Sequence, residues 1–246
     1  MECERAVNRH HPGGEMNPTK RTARVAGLLY LLLTVTGFFS LMYVPGKLIV
    51  RGNAAATAAN ILASESLFRL GVASDLVAGT VFIFLALALY RLLKGVNQQH
   101  ASLMVILVFV QVPLGFLNEL NNLATILLVG GADFLSVFDK PQRDALAMLF
   151  LRLHSQGAIV SQIFWGLWLL PFGVLVFRSG FLPRILGAWL IVNCFAYLAM
   201  SFTGLLLPQH YDMVFRIATP FLLGEAAIML WLLIMGAKPQ PLEARG

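Results

Sequence analysis

Charged side chains are scarce in this sequence of 246 residues. Asp, Glu, Lys and Arg together make up 12% of the chain, whereas apolar residues make up 58%. A soluble domain normally carries about 25% charged residues, and a chain with half that share cannot cover its surface with them. The composition therefore excludes an ordinary water-soluble protein. It also excludes a nucleic-acid-binding protein, despite the formal net charge of +6.

Several chemical signatures are also missing. The two cysteines, Cys3 and Cys194, lie too far apart in the sequence to build a disulfide scaffold. His154 is the one histidine near acidic residues at membrane depth, so the sequence predicts no metal site. No phosphate-binding loop or dinucleotide fingerprint occurs, and we predict no cofactor.

Six long apolar runs are what the sequence does contain. Each is about 20 residues long, enough to cross the hydrocarbon core of a bilayer, and Gly, Pro or charged residues separate them. The runs lack the alternation of a barrel strand, so all six are predicted to be helices. We predict an all-α, polytopic transmembrane bundle of six helices: Val25–Val44, Leu70–Leu93, Ser102–Val129, Gly157–Phe177, Ile185–Leu207 and Val214–Gly236.

The distribution of positive charge predicts the orientation of the bundle. Most of the 18 Lys and Arg residues fall in the two termini and in the short loops on the same side of the membrane. The positive-inside rule therefore makes both termini cytoplasmic. Residues 17–236 form the predicted transmembrane domain, and residues 237–246 a cytoplasmic tail. Residues 1–16 are predicted to be a disordered tail, with an upstream start-codon artefact before Met16 as the alternative.

Two outer connections contain helix-start signals. Asn53 is a suitable N-cap for a short interfacial helix before the second span, which we expect to feed that span at about Leu70. Glu65 precedes Arg69 at the favourable i,i+4 spacing. Asp139, followed by a proline, predicts that the fourth span begins near Lys140 and overhangs the membrane. The alternative is that both segments only shorten loops and cover helix ends.

Three acidic residues fall within the spans, where each needs a partner, water or a proton. They lie in the outer half or near the middle of the membrane, at a level where other spans carry polar side chains. We predict an outward-opening pocket walled by Asp75, Glu119, Asn122, His154 and Glu225, with Arg69 and Arg152 at its mouth. The alternative is interhelical packing, with Asp75 paired to one of those arginines, Glu119 held by asparagines and Glu225 neutral.

These residues leave three functions open. The first is a protein that binds, or transports, a small solute or lipid. The second is a non-catalytic scaffold or homo-oligomer that packs through the small-residue face of Gly71, Asp75 and Gly79. The third, with least support, is an intramembrane enzyme that uses His154 and Glu119 as acid and base, although no nucleophile or metal set accompanies them.

The fourth span also carries an aromatic cluster, for which we expect a position facing lipid at the membrane interface. Its members are Trp165, Trp168, Phe172 and Phe177.

Several segments resemble a known family. They are RVAGLLYL (Arg24–Leu31), NILASESLFRLG (Asn60–Gly71), LYRLLK (Leu89–Lys94), IFWGLWLLPFGVLVFRSGFLPRILG (Ile163–Gly187) and LWLLIMG (Leu230–Gly236). The chain resembles the bacterial membrane family called "domain of unknown function 4386" from about Asn17 to Gly236. The resemblance implies a six-helix protein of the bacterial cytoplasmic (inner) membrane. It implies no activity, substrate or catalytic residue.

The most specific part of this resemblance includes a short cytoplasmic turn bracketed by Arg178 and Arg184. Two arginines at this depth can contact anionic lipid headgroups, at about 1 kcal/mol each. The alternative is that they only orient the protein.

Overall fold

The computed structural model describes residues 18–238. Within this range the chain contains helices and no strands, and six helical segments are long and apolar enough to cross a membrane. The predicted all-α, six-span architecture is therefore confirmed. We call these segments spans one to six, in chain order: Thr19–Leu48, Glu65–Leu93, Gln98–Gly130, Lys140–Arg178, Arg184–Leu206 and Pro208–Ile234.

Two of the spans are interrupted helices. Span one consists of α1 (Pro18–Phe38), a π-helical turn (Phe39–Tyr43) and α2 (Val44–Leu48). A short helix, α3 (Ala54–Ala63), precedes span two, which is α4 (Glu65–Leu93); span three is α5 (Gln98–Gly130). Span four divides at Trp168 into α6 (Lys140–Leu167) and α7 (Leu169–Arg178). Span five is α8 (Arg184–Leu206), and α9 (Tyr211–Ile234) forms most of span six after a 3-10 turn.

Local side-chain chemistry sets the helix starts. Asn53 caps α3, because its side-chain oxygen accepts from the backbone N–H of Ala56 at 2.9 Å. Asp139 and Gln142 form a capping box at the start of α6, which places the beginning of span four at Lys140 as the sequence predicts. The expected interfacial helix is shorter than predicted, since α3 ends at Ala63 and α4 begins two residues later.

The six spans form a ring. Each span packs against the next one along the chain, and span six packs against span one. Gly27 permits the last contact: a Cβ at this position would lie 2.7 Å from the Cα of Leu233, so any side chain would push the two helices apart. Arg24 also donates a hydrogen bond to the carbonyl of Ile234 at 3.4 Å. The two ends of the described chain therefore lie at the same end of the bundle.

The aromatic cluster of span four is largely internal. Trp168 and Phe172 are 2% and 0% exposed, their rings stack at 5.4 Å, and the ring of Phe82 meets Trp168 edge-on at 4.9 Å. The expectation that this cluster faces lipid is wrong for these residues. Trp168 lies ten residues, or about 15 Å of helix, from the end of span four, which is mid-membrane rather than interfacial depth. Phe177, near that end, is exposed.

The tail predicted for residues 1–16 lies outside the described residues, as does all but the start of the tail predicted for 237–246. The division of the chain into these tails and a membrane domain, and the side of the membrane that each terminus faces, stay predictions.

Candidate binding cavity

A partly open cavity of about 370 Å³ lies between the spans, and all six contribute to its wall. Most of the wall is apolar or aromatic. Two carboxyl groups interrupt it, that of Asp75 from span two and that of Glu225 from span six. The aromatic side chains of the wall come from five spans and include Tyr30, Phe82, Phe116, Trp165, Trp168 and Tyr197.

Asp75 belongs to a polar cluster that joins spans one to four. Its carboxyl accepts a hydrogen bond from the hydroxyl of Ser40, at 3.0 Å, and lies within hydrogen-bonding reach of the Glu119 carboxyl. Glu119 in turn contacts Nε2 of His154 at 2.7 Å and accepts from the amide of Asn122 at 2.9 Å. We call Ser40, Asp75, Glu119, Asn122 and His154 the outer cluster, since they lie in the half of the bundle away from the chain ends.

Helix geometry assembles this cluster. Glu119 and Asn122 are three residues apart on α5 and therefore share a face. Asn118, one helical turn before Asn122, donates to the backbone carbonyl of His154 at 3.0 Å, which fixes α5 against α6. Gly157 makes this contact feasible, because a Cβ there would collide with the Asn118 side chain. The side chains of Glu119 and His154 are 4% and 17% exposed, so both are largely buried between the helices.

Glu225 belongs to a second polar cluster. Its carboxyl accepts from the hydroxyl of Tyr30 on span one at 2.5 Å and from the hydroxyl of Tyr197 on span five at 2.9 Å. Asn193, which is wholly buried, lies beside the same carboxyl, although neither of its amide atoms makes a hydrogen bond of ordinary length with a described residue. We call these four residues the tyrosine cluster.

The structure therefore brings together four of the five predicted pocket residues and separates the fifth. Asp75, Glu119, Asn122 and His154 form one network, and Glu225 belongs to the other. Asp75 and Glu225 both line the cavity between the two clusters. Glu119 reaches the cavity through Asp75 rather than lining it directly.

The predicted arginine positions are peripheral. Arg69 donates to Glu65 at 2.7 Å in an exposed i,i+4 pair, and Arg152 is exposed. Ser40, rather than either arginine, donates to Asp75. Arg178 and Arg184 are both exposed at the two ends of the short connection between α7 and α8.

The small-residue face of span two is used inside the chain. A Cβ on Gly71 would meet the side chain of Val44 in span one at 3.1 Å, and a Cβ on Gly79 would meet the ring of Phe116 in span three at 2.6 Å. Because neighbouring spans already cover both glycines, this face is not free to pack against a second protein.

The partners of the carboxyl groups are not evident from the sequence. Tyr30 and Ser40 lie in the first apolar run, and Tyr197 lies in the fifth, where a hydroxyl has no characteristic spacing. The acidic residues themselves were the available signal, because a buried carboxylate requires hydrogen-bond donors. Within residues 18–238, no group of three or more His, Cys, Asp or Glu side chains is arranged to hold a metal ion.

Six long apolar helices, with acidic groups enclosed between them, define a multi-pass α-helical membrane protein. The family described as "domain of unknown function (DUF4386)" matches residues 25–236. The chain belongs to this family. Comparison with curated proteins and with solved structures gave no match.

Proposed function

We propose that this membrane protein binds a small amphipathic solute in the cavity lined by its six spans. The observation that carries the proposal is a cavity of about 370 Å³ whose aromatic wall holds two carboxyl groups, Asp75 and Glu225. Ligand sites are commonly concave and mainly apolar, with volumes of about 300–1,000 Å³ and a few polar groups that orient the ligand. The cavity has this size and this combination of surfaces.

An unpaired polar atom in the cavity wall also supports ligand binding. The side-chain oxygen of Gln111, which lines the cavity, is buried and has no hydrogen-bond partner among the described residues. A buried polar atom without a partner costs about 1–3 kcal/mol, so a ligand that could bond to it would recover part of this free energy. A role confined to helix packing would instead be expected to leave the polar groups paired with each other.

Tryptophan fluorescence provides the test. Trp165 and Trp168 line the cavity and the other two tryptophans do not. Replacing Trp189 and Trp231 by Phe would leave the cavity pair as the only tryptophans. Bromine quenches tryptophan on contact, so three probes of similar size are used on protein in lipid nanodiscs: 4-bromobenzylammonium, 4-bromobenzyl alcohol and 4-bromobenzoate. We expect saturable quenching by at least one of them.

A matched pair of substitutions locates the binding. Gly37→Leu places a side chain into the cavity, because Gly37 lines it and a Cβ there has nothing within 4 Å. Gly46→Leu is the control, since it lies on the same span, also has open space, and does not line the cavity. We expect Gly37→Leu alone to weaken binding. Only linear, unsaturable quenching with all three probes, or equal effects of the two substitutions, would contradict the proposal.

We also propose that the protein resides in a bacterial cytoplasmic membrane with both termini in the cytoplasm. The excess of Lys and Arg on the side of the termini supports this orientation. The lipid bilayer is then its principal partner, and the exposed Arg178 and Arg184 would lie at the inner headgroup level, where anionic lipids attract them.

A further inference from the structure

We infer that the solute is an organic cation, such as an amine or a quaternary ammonium compound. The inference deepens the proposed function and rests on it. It follows from the balance of charge around the cavity and from the kind of surface that faces the charges.

The cavity wall carries acidic groups without basic ones. Asp75 and Glu225 line it, whereas no Lys, Arg or His is among the described residues of the wall. Behind Asp75 lie Glu119 and His154, the ionisable groups that act on it. His154 supplies at most one positive charge to these two carboxyls. One basic side chain therefore serves three carboxyl groups, counting Glu225.

The hydroxyl contacts of Glu225 and Asp75 leave both carboxyl groups without a positively charged donor. Both tyrosine hydroxyls donate to Glu225, and the Ser40 hydroxyl donates to Asp75. Hydroxyl donors stabilise a carboxylate but add no positive charge. A cation in the cavity would supply the missing charge, whereas an anion would meet two carboxylates without a basic partner.

One further polar group near the cavity also suits a donor-bearing ligand. The free side-chain oxygen of Gln111 can accept a hydrogen bond from an ammonium group.

Aromatic faces supply the rest of the surface. Trp165 and Tyr197 both line the cavity, with their rings edge-to-face at 6.0 Å. Aromatic rings attract cations through the negative potential of their faces, and tryptophan does so most strongly. Carboxylates together with aromatic rings, without a basic side chain, form a surface that favours an organic cation over a neutral or anionic molecule of the same shape.

The three brominated probes test this inference, because they differ mainly in charge. In the chain that retains only Trp165 and Trp168, we expect 4-bromobenzylammonium to bind at least about tenfold more tightly than 4-bromobenzyl alcohol, and 4-bromobenzoate to bind most weakly. Asp75→Asn and Glu225→Gln should each reduce the preference for the ammonium probe by about threefold to tenfold. Both replacements preserve side-chain size and remove the charge.

Two acidic residues away from the cavity serve as controls. Glu65→Gln lies on the same helix as Asp75, and Asp212→Asn lies on the same helix as Glu225; neither residue lines the cavity. We expect both controls to retain the full preference. Retained near-ultraviolet circular dichroism would show that each variant is folded, and a misfolded Asp75 variant would be replaced by Asp75→Ser.

The possible outcomes separate the two proposals. Saturable binding of the alcohol or the carboxylate at least as tight as that of the ammonium probe would overturn the cation assignment and leave the proposed function intact. A cation preference that survives both Asp75→Asn and Glu225→Gln would also overturn it. Absence of saturable binding for all three probes would overturn both proposals, whereas a preference lost only in the cavity variants supports the inference.

Discussion

The bond from Tyr30 to Glu225 permits the sharpest stability prediction. Tyr30 is 2% exposed, and its hydroxyl donates to the carboxyl across the contact between spans one and six at 2.5 Å. Tyr30→Phe removes this donor and leaves the ring in place. An average side-chain hydrogen bond between membrane helices contributes only about 0.6 kcal/mol, but bonds to charged groups contribute about 1.5–3 kcal/mol. Because Glu225 is an acidic acceptor in the interior, we expect a loss of about 1.5 kcal/mol.

The second tyrosine sharpens the expectation. Tyr197→Phe removes the other hydroxyl donor, at 2.9 Å from the carboxyl, and should cost about 1 kcal/mol. The double variant leaves Glu225 with only Asn193 beside it. We therefore expect a cost of about 3–4 kcal/mol, above the sum of the single values. After one substitution the remaining hydroxyl still donates to the carboxyl, whereas the double variant removes both donors.

Cys194 provides the assay. It is buried, and Cys3 is the other cysteine of the chain, so Cys3→Ser leaves one thiol that becomes reactive when the bundle opens. The rate at which a maleimide dye modifies Cys194 is followed while SDS is titrated into protein in bicelles, and the midpoints give the free energy of unfolding. Tyr43→Phe is the control on the same span, since the Tyr43 side chain is 45% exposed.

Unfolding of Tyr30→Phe at the same SDS fraction as Tyr43→Phe would refute this prediction. Simple additivity of the two tyrosine substitutions would also refute it, because their effects would then not pass through one shared carboxyl. A double-mutant cycle with Glu225→Gln tests whether the tyrosine acts through this carboxyl. The cost of Tyr30→Phe should fall in the Glu225→Gln background, since a neutral amide oxygen is the weaker acceptor.

Three further predictions follow from named contacts. His154→Ala should lower the free energy of unfolding by about 2–4 kcal/mol, because it leaves the buried Glu119 without its basic partner, and adding Glu119→Gln should restore part of the loss in the same SDS titration. Gly27→Leu should sharply reduce the yield of monodisperse protein on size exclusion, since the new side chain would force spans one and six apart, whereas Gly46→Leu should match the parent. Val137→Cys, in a chain without native cysteines, should react with a membrane-impermeant maleimide on intact cells, because this residue is 80% exposed in the connection between spans three and four; labelling only after lysis would reverse the proposed orientation.

Local and one-dimensional signals made much of the fold predictable. Apolar runs of bilayer length located all six spans, and the sequence at Asp139 located the start of the fourth. The i,i+4 spacing of Glu65 and Arg69 likewise predicted their ion pair. Each of these features depends on residues close together in the chain, so helix geometry alone is sufficient to predict it.

The pairing of side chains between spans depends on which helices are neighbours, and the hydrophobic periodicity of a single span does not contain that information. Asp75 and Glu225 stand out from the sequence because lipid penalises an exposed charge. Their partners do not, since a tyrosine or serine in an apolar run is equally compatible with the membrane interface, with a backbone hydrogen bond or with a buried network. Assigning Tyr30 to Glu225 requires the contact between the first and last spans, which no local pattern specifies. The burial of Trp168 was missed for a related reason: it depends on the contacts of this ring with Tyr30 and Phe82 of the first two spans, which no local pattern specifies.

The cavity itself follows from the ring. Packed helices have axes about 8–10 Å apart, and six of them in a closed ring place each axis at a similar distance from the centre. This geometry leaves a central space about as wide as one further helix. Towards the chain ends, large side chains such as Trp168 and Phe172 fill that space. At the level of Asp75 the wall includes Gly37 and Gly115, where a Cβ would have nothing within 4 Å, so the space stays open beside the carboxyl groups. The small residues and the acidic residues thus act together: the first keep a volume that close packing would remove, and the second place carboxyl groups in its wall.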